Sequence, residues 1–229
     1  MVEDRALRRV WASVNRVCDD RIMTALVEWL TISGDAEAWR SIGLVVADDG
    51  LIPLHGTSLR IIETAPERTG IRGWALSGVD TGLDGTVIDG LDTRVVEPMG
   101  PTFAQHDLGA SGLDHVVVMT NDLERTSTAI ANATDCELKR VREVGTMKQG
   151  FHRIGRGGLI VEIVERPEVP DGPARFWGVV VNVEDLDAAC ERIGTDLISE
   201  PKDAVQPGRR IATVRDDVGL GLPVALMTP

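Results

Sequence analysis

The stretch from Leu113 to Val141 reads LDHVVVMTNDLERTSTAIANATDCELKRV, and its pattern recurs further along the chain. Residues 176–201 read FWGVVVNVEDLDAACERIGTDLISEP. Each copy has an apolar strand, an Asp-Leu pair that starts a helix, alanines within the helix and then a short strand. An aspartate directly before a helix accepts hydrogen bonds from the free backbone N–H groups of the first turn. The repeat therefore predicts two tandem units of the same structure.

Each copy continues through a glycine into a predicted hairpin. The first hairpin, GFHRIGRGGLIVEIVE, covers residues 150–165, and the second, GRRIATVRDDVGLGLPVALMTP, covers residues 208–229. Glycine turns between apolar runs are typical of paired strands. Each copy is therefore predicted to be a βαβββ module of about 55 residues, the first over residues 113–166 and the second over residues 174–228.

An eroded third copy precedes these two. The segment GLIPLHGTSLRIIE, residues 50–63, aligns with residues 150–165 when its last glutamate is superposed on Glu165. A long amphipathic helix is predicted over residues 5–30 and a strand over residues 41–49. Because no first strand precedes that helix, the best substitute is GIRGWALSGV, residues 70–79, which predicts a circularly permuted module.

The upstream apolar faces must be buried, so we expect this region to pack against the rest of the chain. The glycine- and proline-rich stretch that follows it is predicted to be a linker. The predicted organisation is a degenerate or permuted N-terminal region with linker, residues 1–110, and a paired βαβββ domain, residues 111–229. The predicted fold class is α+β, with a curved mixed sheet that forms a cup.

Composition narrows the choice of partners and compartment. The chain has 229 residues, 43% of them hydrophobic, which is enough for a large core. Its formal net charge of −12 disfavours nucleic acid and anionic membranes as partners. The N-terminal residues carry charges throughout and lack a signal-peptide pattern, and three scattered cysteines suit reduced thiols. These features predict a cytoplasmic protein with a small-molecule ligand, and they leave a homodimer open.

Paired modules that open with LDHVVV and DLERT and close with GGLIVEIVE resemble the vicinal oxygen chelate (VOC) superfamily. That group includes glyoxalase I, extradiol dioxygenases, methylmalonyl-CoA epimerase and bleomycin-resistance proteins. The resemblance implies a cup lined by the start of strand one and by strand four of each module, where family enzymes hold a divalent metal. The matching residues of the first module are His115 and Glu162, and the resemblance also gives Glu162 a catalytic role.

Glu162 stands out without any resemblance. It lies in the middle of the apolar run LIVEIVE, between Val161 and Ile163. A carboxylate buried there without a partner would cost several kcal/mol. We therefore expect a compensating group beside Glu162.

The second module and the upstream region lack the corresponding ligands. Alignment of the copies puts Gly178 opposite His115, Ala225 opposite Glu162, and Arg60 at the upstream equivalent of Glu162. A mononuclear site normally needs three or four protein donors, or three with water. His152 on strand three is a candidate third donor, and His55 and His106 are candidates from the upstream region. The residues predicted to contact substrate are Gly178, Ala225, Arg60 and His152.

Two tryptophans and two arginines are further candidates. Trp74 and Trp177 lie on predicted first strands, where they either line a cavity or belong to the core. Arg209 and Arg210 either bind a carboxylate or phosphate or lie at a solvated strand edge.

Two functions follow as expectations. In the first, His115 and Glu162 hold Zn²⁺, Ni²⁺, Mn²⁺ or Fe²⁺, and the protein is a glyoxalase-type lyase or isomerase of a small oxygen-rich substrate. In the second, the cup has no metal and the protein binds or sequesters a small molecule, as bleomycin-resistance proteins do. The retained His115 and Glu162 favour the enzyme, whereas the missing donors favour the binding protein.

Overall fold

Two mixed β-sheets carry the fold in the computed structural model, which describes residues 24–62 and 69–229. The N-terminal strands are β1 Leu26–Ser33, β2 Leu51–Ile52, β3 Ser58–Ile62, β4 Gly70–Ser77, β5 Val87–Ile88 and β6 Leu91–Val95, with a short helix α1, Ala36–Ser41. They form a six-stranded sheet in the order β2-β3-β1-β4-β6-β5.

The C-terminal half forms an eight-stranded sheet with two helices. Its strands are β7 Ala110–Thr120, β8 Leu138–Val144, β9 Met147–Arg153, β10 Ile160–Glu165, β11 Arg175–Val183, β12 Lys202–Asp203, β13 Arg210–Thr213 and β14 Val224–Met227. Its helices are α2, Leu123–Thr134, and α3, Leu186–Ile193. The strand order is β12-β13-β14-β11-β7-β10-β9-β8.

The larger sheet is built from two βαβββ modules, as the repeat predicts. In each module the last strand runs parallel to the first, β10 beside β7 and β14 beside β11, while β7 and β11 pair antiparallel and join the modules. The helix starts also follow the sequence signal. The side chain of Asp122 accepts a hydrogen bond from the Arg125 backbone N–H (2.9 Å), and Asp185 accepts one from Ala188 (3.0 Å). The α+β class and the paired modules are confirmed.

The N-terminal sheet repeats this topology in chain order. Strand β3 runs parallel to β1, β4 pairs antiparallel with β1, and β6 runs parallel to β4. The helix predicted over residues 5–30 is wrong where the structure describes it, because Leu26–Ser33 is a strand; residues 1–23 lie outside the described part. Leu26–Ser33 is the first strand of the N-terminal module, which the sequence pattern did not indicate. The elements of this module therefore follow in chain order without a circular permutation.

The strand predicted over residues 41–49 is also wrong. Helix α1 ends at Ser41, and a turn follows in which Gly43 has a φ of +96°. The backbone N–H of Leu44 returns to the Trp39 carbonyl (3.3 Å), which holds the segment in a turn after the helix. The apolar residues after Gly43 therefore belong to a turn and a loop and form no strand.

The two sheets are packed together, and the core lies between them and their helices. On the helix-covered face of the large sheet, Val116, Val118 and Ile163 are fully buried. The Asp89 carboxylate of the N-terminal sheet binds Arg125 at the start of α2 (2.9 Å), and the His55 backbone N–H donates to the Ser111 carbonyl (2.9 Å). The N-terminal region thus packs against the rest of the chain, as its apolar faces require. In the described ranges, no helix has the length and apolarity that crossing a membrane demands.

Candidate functional site

The concave face of the eight-stranded sheet encloses a cavity of about 390 Å³. Alternation along a strand sends neighbouring residues to opposite faces. Val116 and Val118 therefore face the core, whereas His115 and Val117 face the cavity. Strand β10, which runs parallel to β7, contributes Glu162 to the same wall. The sequence prediction that His115 and Glu162 share one concavity is confirmed as geometry.

A chain of polar contacts runs across the floor of this cup. His115 Nε2 lies 3.2 Å from Glu162 Oε2, and His115 Nδ1 lies 2.7 Å from Asp114 Oδ2. Asp114 and His115 are adjacent residues, but the β7–β11 pairing has an irregularity at this point, between the His115 and Leu113 partners. A bulge redirects the side chain of the extra residue, which here is Asp114, so that Asp114 can contact His115.

Arg209 and Gln149 end this chain of contacts. Arg209 Nη1 donates to Asp114 Oδ1 (2.7 Å), Arg209 Nη2 donates to Asn182 Oδ1 (2.7 Å), and Gln149 Nε2 donates to Glu162 Oε1 (2.5 Å). Burial by itself raises the pKa of Asp114, but its hydrogen bonds to His115 and Arg209 and their charges outweigh burial and lower that pKa. Asp114 is therefore a carboxylate, which can only accept hydrogen bonds.

The direction of these bonds fixes what His115 presents to the cup. Because the Asp114 carboxylate can only accept, His115 Nδ1 donates to it, and in a neutral imidazole Nε2 then carries a lone pair. That lone pair faces an oxygen of Glu162 at 3.2 Å. A proton or a metal cation between the two atoms satisfies both.

The second module supplies the opposite wall of the cup, and that wall is apolar. Gly178 and Ala225 border the cavity, as the repeat register predicts, together with Val180, Val224 and the half-exposed Trp177. A Cβ atom on Gly178 would lie 2.6 Å from the Pro223 carbonyl oxygen. No side chain fits at Gly178 without movement of the backbone.

Arg60 does not border the cup, contrary to the sequence prediction. It lies on β3 of the other sheet, where its guanidinium stacks 4.5 Å above the Trp29 ring and contacts Asp49 at 3.4 Å. Arg60 and Glu162 lie on equivalent strands of the repeat, but these strands belong to two different sheets. Arg60 is therefore removed from the set of substrate-binding residues.

His152 is also wrong as a ligand of the cup. Its ring is 1% exposed and lies between Ser127 Oγ (2.9 Å) and the Cys136 carbonyl (2.8 Å), on the side of the sheet that α2 covers. Burial lowers the pKa of His152 more than the Cys136 carbonyl raises it. The neighbouring Phe151 pairs with Glu162, so alternation along β9 turns His152 away from the cavity.

The upstream histidines serve other contacts. His106 accepts from the Val45 backbone N–H at Nδ1 (2.9 Å) and contacts the Pro53 carbonyl through Nε2 (2.8 Å), and burial lowers its pKa. His55 stacks on Phe103 with 4.2 Å between ring centroids. Neither residue borders the cup.

The remaining candidates divide between core and surface. Trp74 is buried and donates to Thr93 Oγ1 (2.8 Å), so it belongs to the core, whereas Trp177 lines the cup. Arg210 forms an exposed ion pair with Asp187 (2.7 Å), whereas Arg209 is part of the chain of contacts at His115.

The donors at the centre are few, and one of them escaped the sequence analysis. Among residues 24–62 and 69–229, no three His, Cys, Asp or Glu side chains are grouped as ligands of one metal ion. The amide of Gln149 is the additional oxygen-bearing group within reach of Glu162. The sequence pattern could have indicated Gln149, because it lies two residues before Phe151 on a strand whose alternate residues face the cup. Asp114 was missed because strict alternation would turn it away.

Comparison with known proteins identifies the second half of the chain. Residues 112–222 match the model of the Glyoxalase/Bleomycin resistance protein/Dioxygenase superfamily. No curated protein matches the chain significantly.

Two solved structures are similar to this chain at low sequence identity, and the first of them shares its fold over nearly the whole length. A triple mutant of 4-hydroxymandelate synthase from Streptomyces coelicolor is 14% identical, with a TM-score of 0.58 over 90% of this chain and 92% of that one. Methylmalonyl-CoA epimerase from Mycobacterium tuberculosis is 15% identical, with a TM-score of 0.45 over 53% of this chain and 89% of that one. The domain at residues 112–222, with its paired βαβββ modules and its cup, belongs to the glyoxalase/bleomycin resistance/dioxygenase superfamily, the vicinal oxygen chelate proteins.

Proposed function

We propose that the cup binds a small oxygen-rich molecule at a divalent metal ion held by His115 and Glu162, and that the protein is a lyase or isomerase of the glyoxalase type. The observation that carries this proposal is the approach of His115 Nε2 to Glu162 Oε2 at 3.2 Å, with His115 Nδ1 bound to Asp114. Two donors on one ion at about 2.0–2.2 Å lie about 3 Å apart at tetrahedral or octahedral angles. The observed separation suits a shared cation.

The surroundings of His115 suit the same role. A metal-binding histidine commonly donates its other ring nitrogen to a carboxylate, which fixes the tautomer and orients the ring. Asp114 supplies that carboxylate, and Arg209 holds Asp114 in place. Gln149 offers a third oxygen donor if its amide is turned, because the oxygen and nitrogen of an amide are interchangeable by rotation. Waters and substrate oxygens would complete the shell.

The rest of the cup suggests how a substrate is held. A bound divalent ion would polarise a carbonyl or hydroxyl oxygen and stabilise negative charge that develops next to it. Glu162 would then accept a proton from the carbon beside that carbonyl and return it. The apolar wall that contains Val180 and Val224 would exclude water and pack against the carbon skeleton.

Metal titration of the full chain tests this proposal. After removal of metal with EDTA, isothermal titration calorimetry with Zn²⁺, Ni²⁺, Mn²⁺ and Fe²⁺ should show one site for at least one of these ions. His115→Ala and Glu162→Ala should each weaken that site by at least tenfold, whereas Arg156→Gln, in the exposed β9–β10 turn, should leave it unchanged. Equal binding by the wild type and both cup variants would refute the site.

A metal-free binding protein is the second candidate. The second module favours it, because Gly178 and Ala225 replace two expected ligands and Gly178 leaves no room for a side chain. In that case a proton takes the place of the metal between His115 and Glu162. A wild-type protein that binds none of the four ions but keeps the cup folded would favour this candidate.

A further inference from the structure

The edge strand β8 places arginines on the same face as the proposed metal centre. Arg142 pairs in register with Gln149, and Arg140 pairs with Phe151. Residues directly opposite each other on antiparallel strands point to the same side of a sheet. Since Gln149 bonds to Glu162 inside the cup, Arg142 also lies on the concave face, and it borders a cavity of about 470 Å³ that contains Glu162.

A lysine faces these arginines from the opposite edge of the sheet. Lys202 on β12 pairs with Ile211, whose side chain lines the cup. The next residue, Asp203, pairs with Arg210 and also borders this cavity. Lys202 and Arg142 border the same cavity. We call Arg140, Arg142 and Lys202 the cationic rim.

The side chains of the cationic rim form no ion pair with another described residue, although Asp203 and Glu162 border the same cavity. In the described ranges, no carboxylate oxygen lies within 4.0 Å of these three side chains, whereas Arg125, Arg209 and Arg210 all have acidic partners. This contrast occurs in a chain of net charge −12. Arg142 is half-buried, which strengthens its attraction for an anion because less water competes.

We propose that the cationic rim binds a carboxylate or phosphate group of the molecule whose other oxygens reach His115 and Glu162. This inference rests on the proposed function and narrows its substrate class to small anions. Strand β8 lies two strands from β10, and strands are about 4.8 Å apart, so the backbones are separated by about 10 Å. Arginine side chains cover much of that distance, which leaves a few covalent bonds between the chelating oxygens and the anionic group.

Three hydroxamates test the proposal on the metal-loaded full chain. Acetohydroxamate, succinic monohydroxamate and phosphoglycolohydroxamate share the metal-chelating hydroxamate. The first carries no further anionic group, the second carries a carboxylate and the third carries a phosphate. In calorimetric titrations at low salt, at least one of the two anionic probes should bind about tenfold more tightly than acetohydroxamate. The stronger of the two identifies the preferred anion. Equal affinity of all three would overturn the proposal.

Variants assign the effect to the rim. Arg142→Gln and Arg140→Gln should each reduce the advantage of the anionic probe and leave acetohydroxamate binding unchanged. Arg142→Lys should retain part of the advantage, and Arg156→Gln, which removes the same charge from an exposed turn, should retain all of it. An advantage that survives in both rim glutamine variants, with circular dichroism unchanged, would overturn the assignment.

Failure of the metal site is distinguishable from failure of the rim. If the full chain takes up no metal ion, the proposed metal site is wrong, and the rim is then tested alone with pyrophosphate on EDTA-treated protein. Saturable binding that Arg142→Gln weakens would support the rim. Absence of pyrophosphate binding, or binding that Arg142→Gln leaves intact, would overturn it.

Discussion

Asp114 Oδ2 lies 2.7 Å from His115 Nδ1, although these adjacent residues of one strand would face opposite sides of a regular sheet. The irregular pairing of β7 with β11 allows the contact. A carboxylate that orients a histidine increases the ligand strength of the other ring nitrogen. The local distortion of β7 is therefore part of the proposed metal centre.

Asp114→Asn tests that relationship. The amide keeps the size of the side chain but loses the charge that orients His115 and pairs with Arg209. Metal affinity should fall by about 10- to 100-fold, as is typical when the partner of a metal-binding histidine is altered. Calorimetric metal titration measures the loss. Unchanged affinity in a folded Asp114→Asn protein would mean that the contact has no part in metal binding.

Arg209 and Arg210 should differ sharply in their effect on stability. Arg209 and Asp114 form a partly buried ion pair whose side chains are 18% and 9% exposed, so Arg209→Gln leaves that carboxylate without its partner and should cost about 3 kcal/mol in unfolding free energy. Arg210→Gln removes an exposed pair with Asp187 and should change stability little. Urea denaturation of both variants compares them directly, and similar losses in the two would argue against the buried role of Arg209.

Gly178 should resist substitution because the chain comes close to it. A Cβ atom there would lie 2.6 Å from the Pro223 carbonyl oxygen, so Gly178→Ala should destabilise the protein by about 1–3 kcal/mol. A Cβ atom on Gly100 would meet nothing within 4 Å beyond its chain neighbours, and Gly100 has no positive φ, so Gly100→Ala is a matched control that should be near neutral. Thermal unfolding checks both; a Gly178→Ala protein as stable as the control would show that β14 moves freely.

Glu165 should make part of the stability dependent on pH. The hydrogen bond from Lys148 (2.8 Å), followed by that from the Leu123 backbone N–H, lowers the pKa of Glu165. A carboxyl group whose pKa is lower in the folded protein stabilises it above the unfolded-state pKa, and the effect is lost as pH falls through the folded-state pKa. Glu165→Gln should therefore lower Tm at pH 7 and have a smaller effect under strongly acidic conditions. A Tm difference that is constant with pH would contradict this assignment.

The sequence predicted the modules because each level of its pattern agreed. Asp122 and Asp185 begin the helices, and alternation along β7 and β10 put His115 and Glu162 on one face, so the repeat alone determined the register. Upstream, the residues around Leu26–Leu30 fit a helical pattern as well as a strand. These residues form a strand because they pair with β3 and β4, and the local sequence does not contain that tertiary interaction.

The errors within the site have equally local causes. Arg60 aligns with Glu162 in the repeat, but its strand belongs to the other sheet. His152 was predicted from its strand alone, without regard to which face of the sheet alternate residues occupy. Asp114 was overlooked because a bulge breaks the parity on which the prediction depended. Composition and periodicity do not reveal a single irregular residue pair.

X-ray absorption spectroscopy of the full chain, loaded with the one of Zn²⁺, Ni²⁺, Mn²⁺ and Fe²⁺ that it binds most tightly, tests the central claim most directly. It should show nitrogen and oxygen donors at about 2.0–2.2 Å from the metal, together with the outer-shell scattering of one imidazole. His115→Ala should lose the imidazole signal, and Arg156→Gln should keep it. A protein that takes up none of these four ions stoichiometrically, or one whose imidazole signal persists in His115→Ala, would contradict a metal centre at His115 and Glu162.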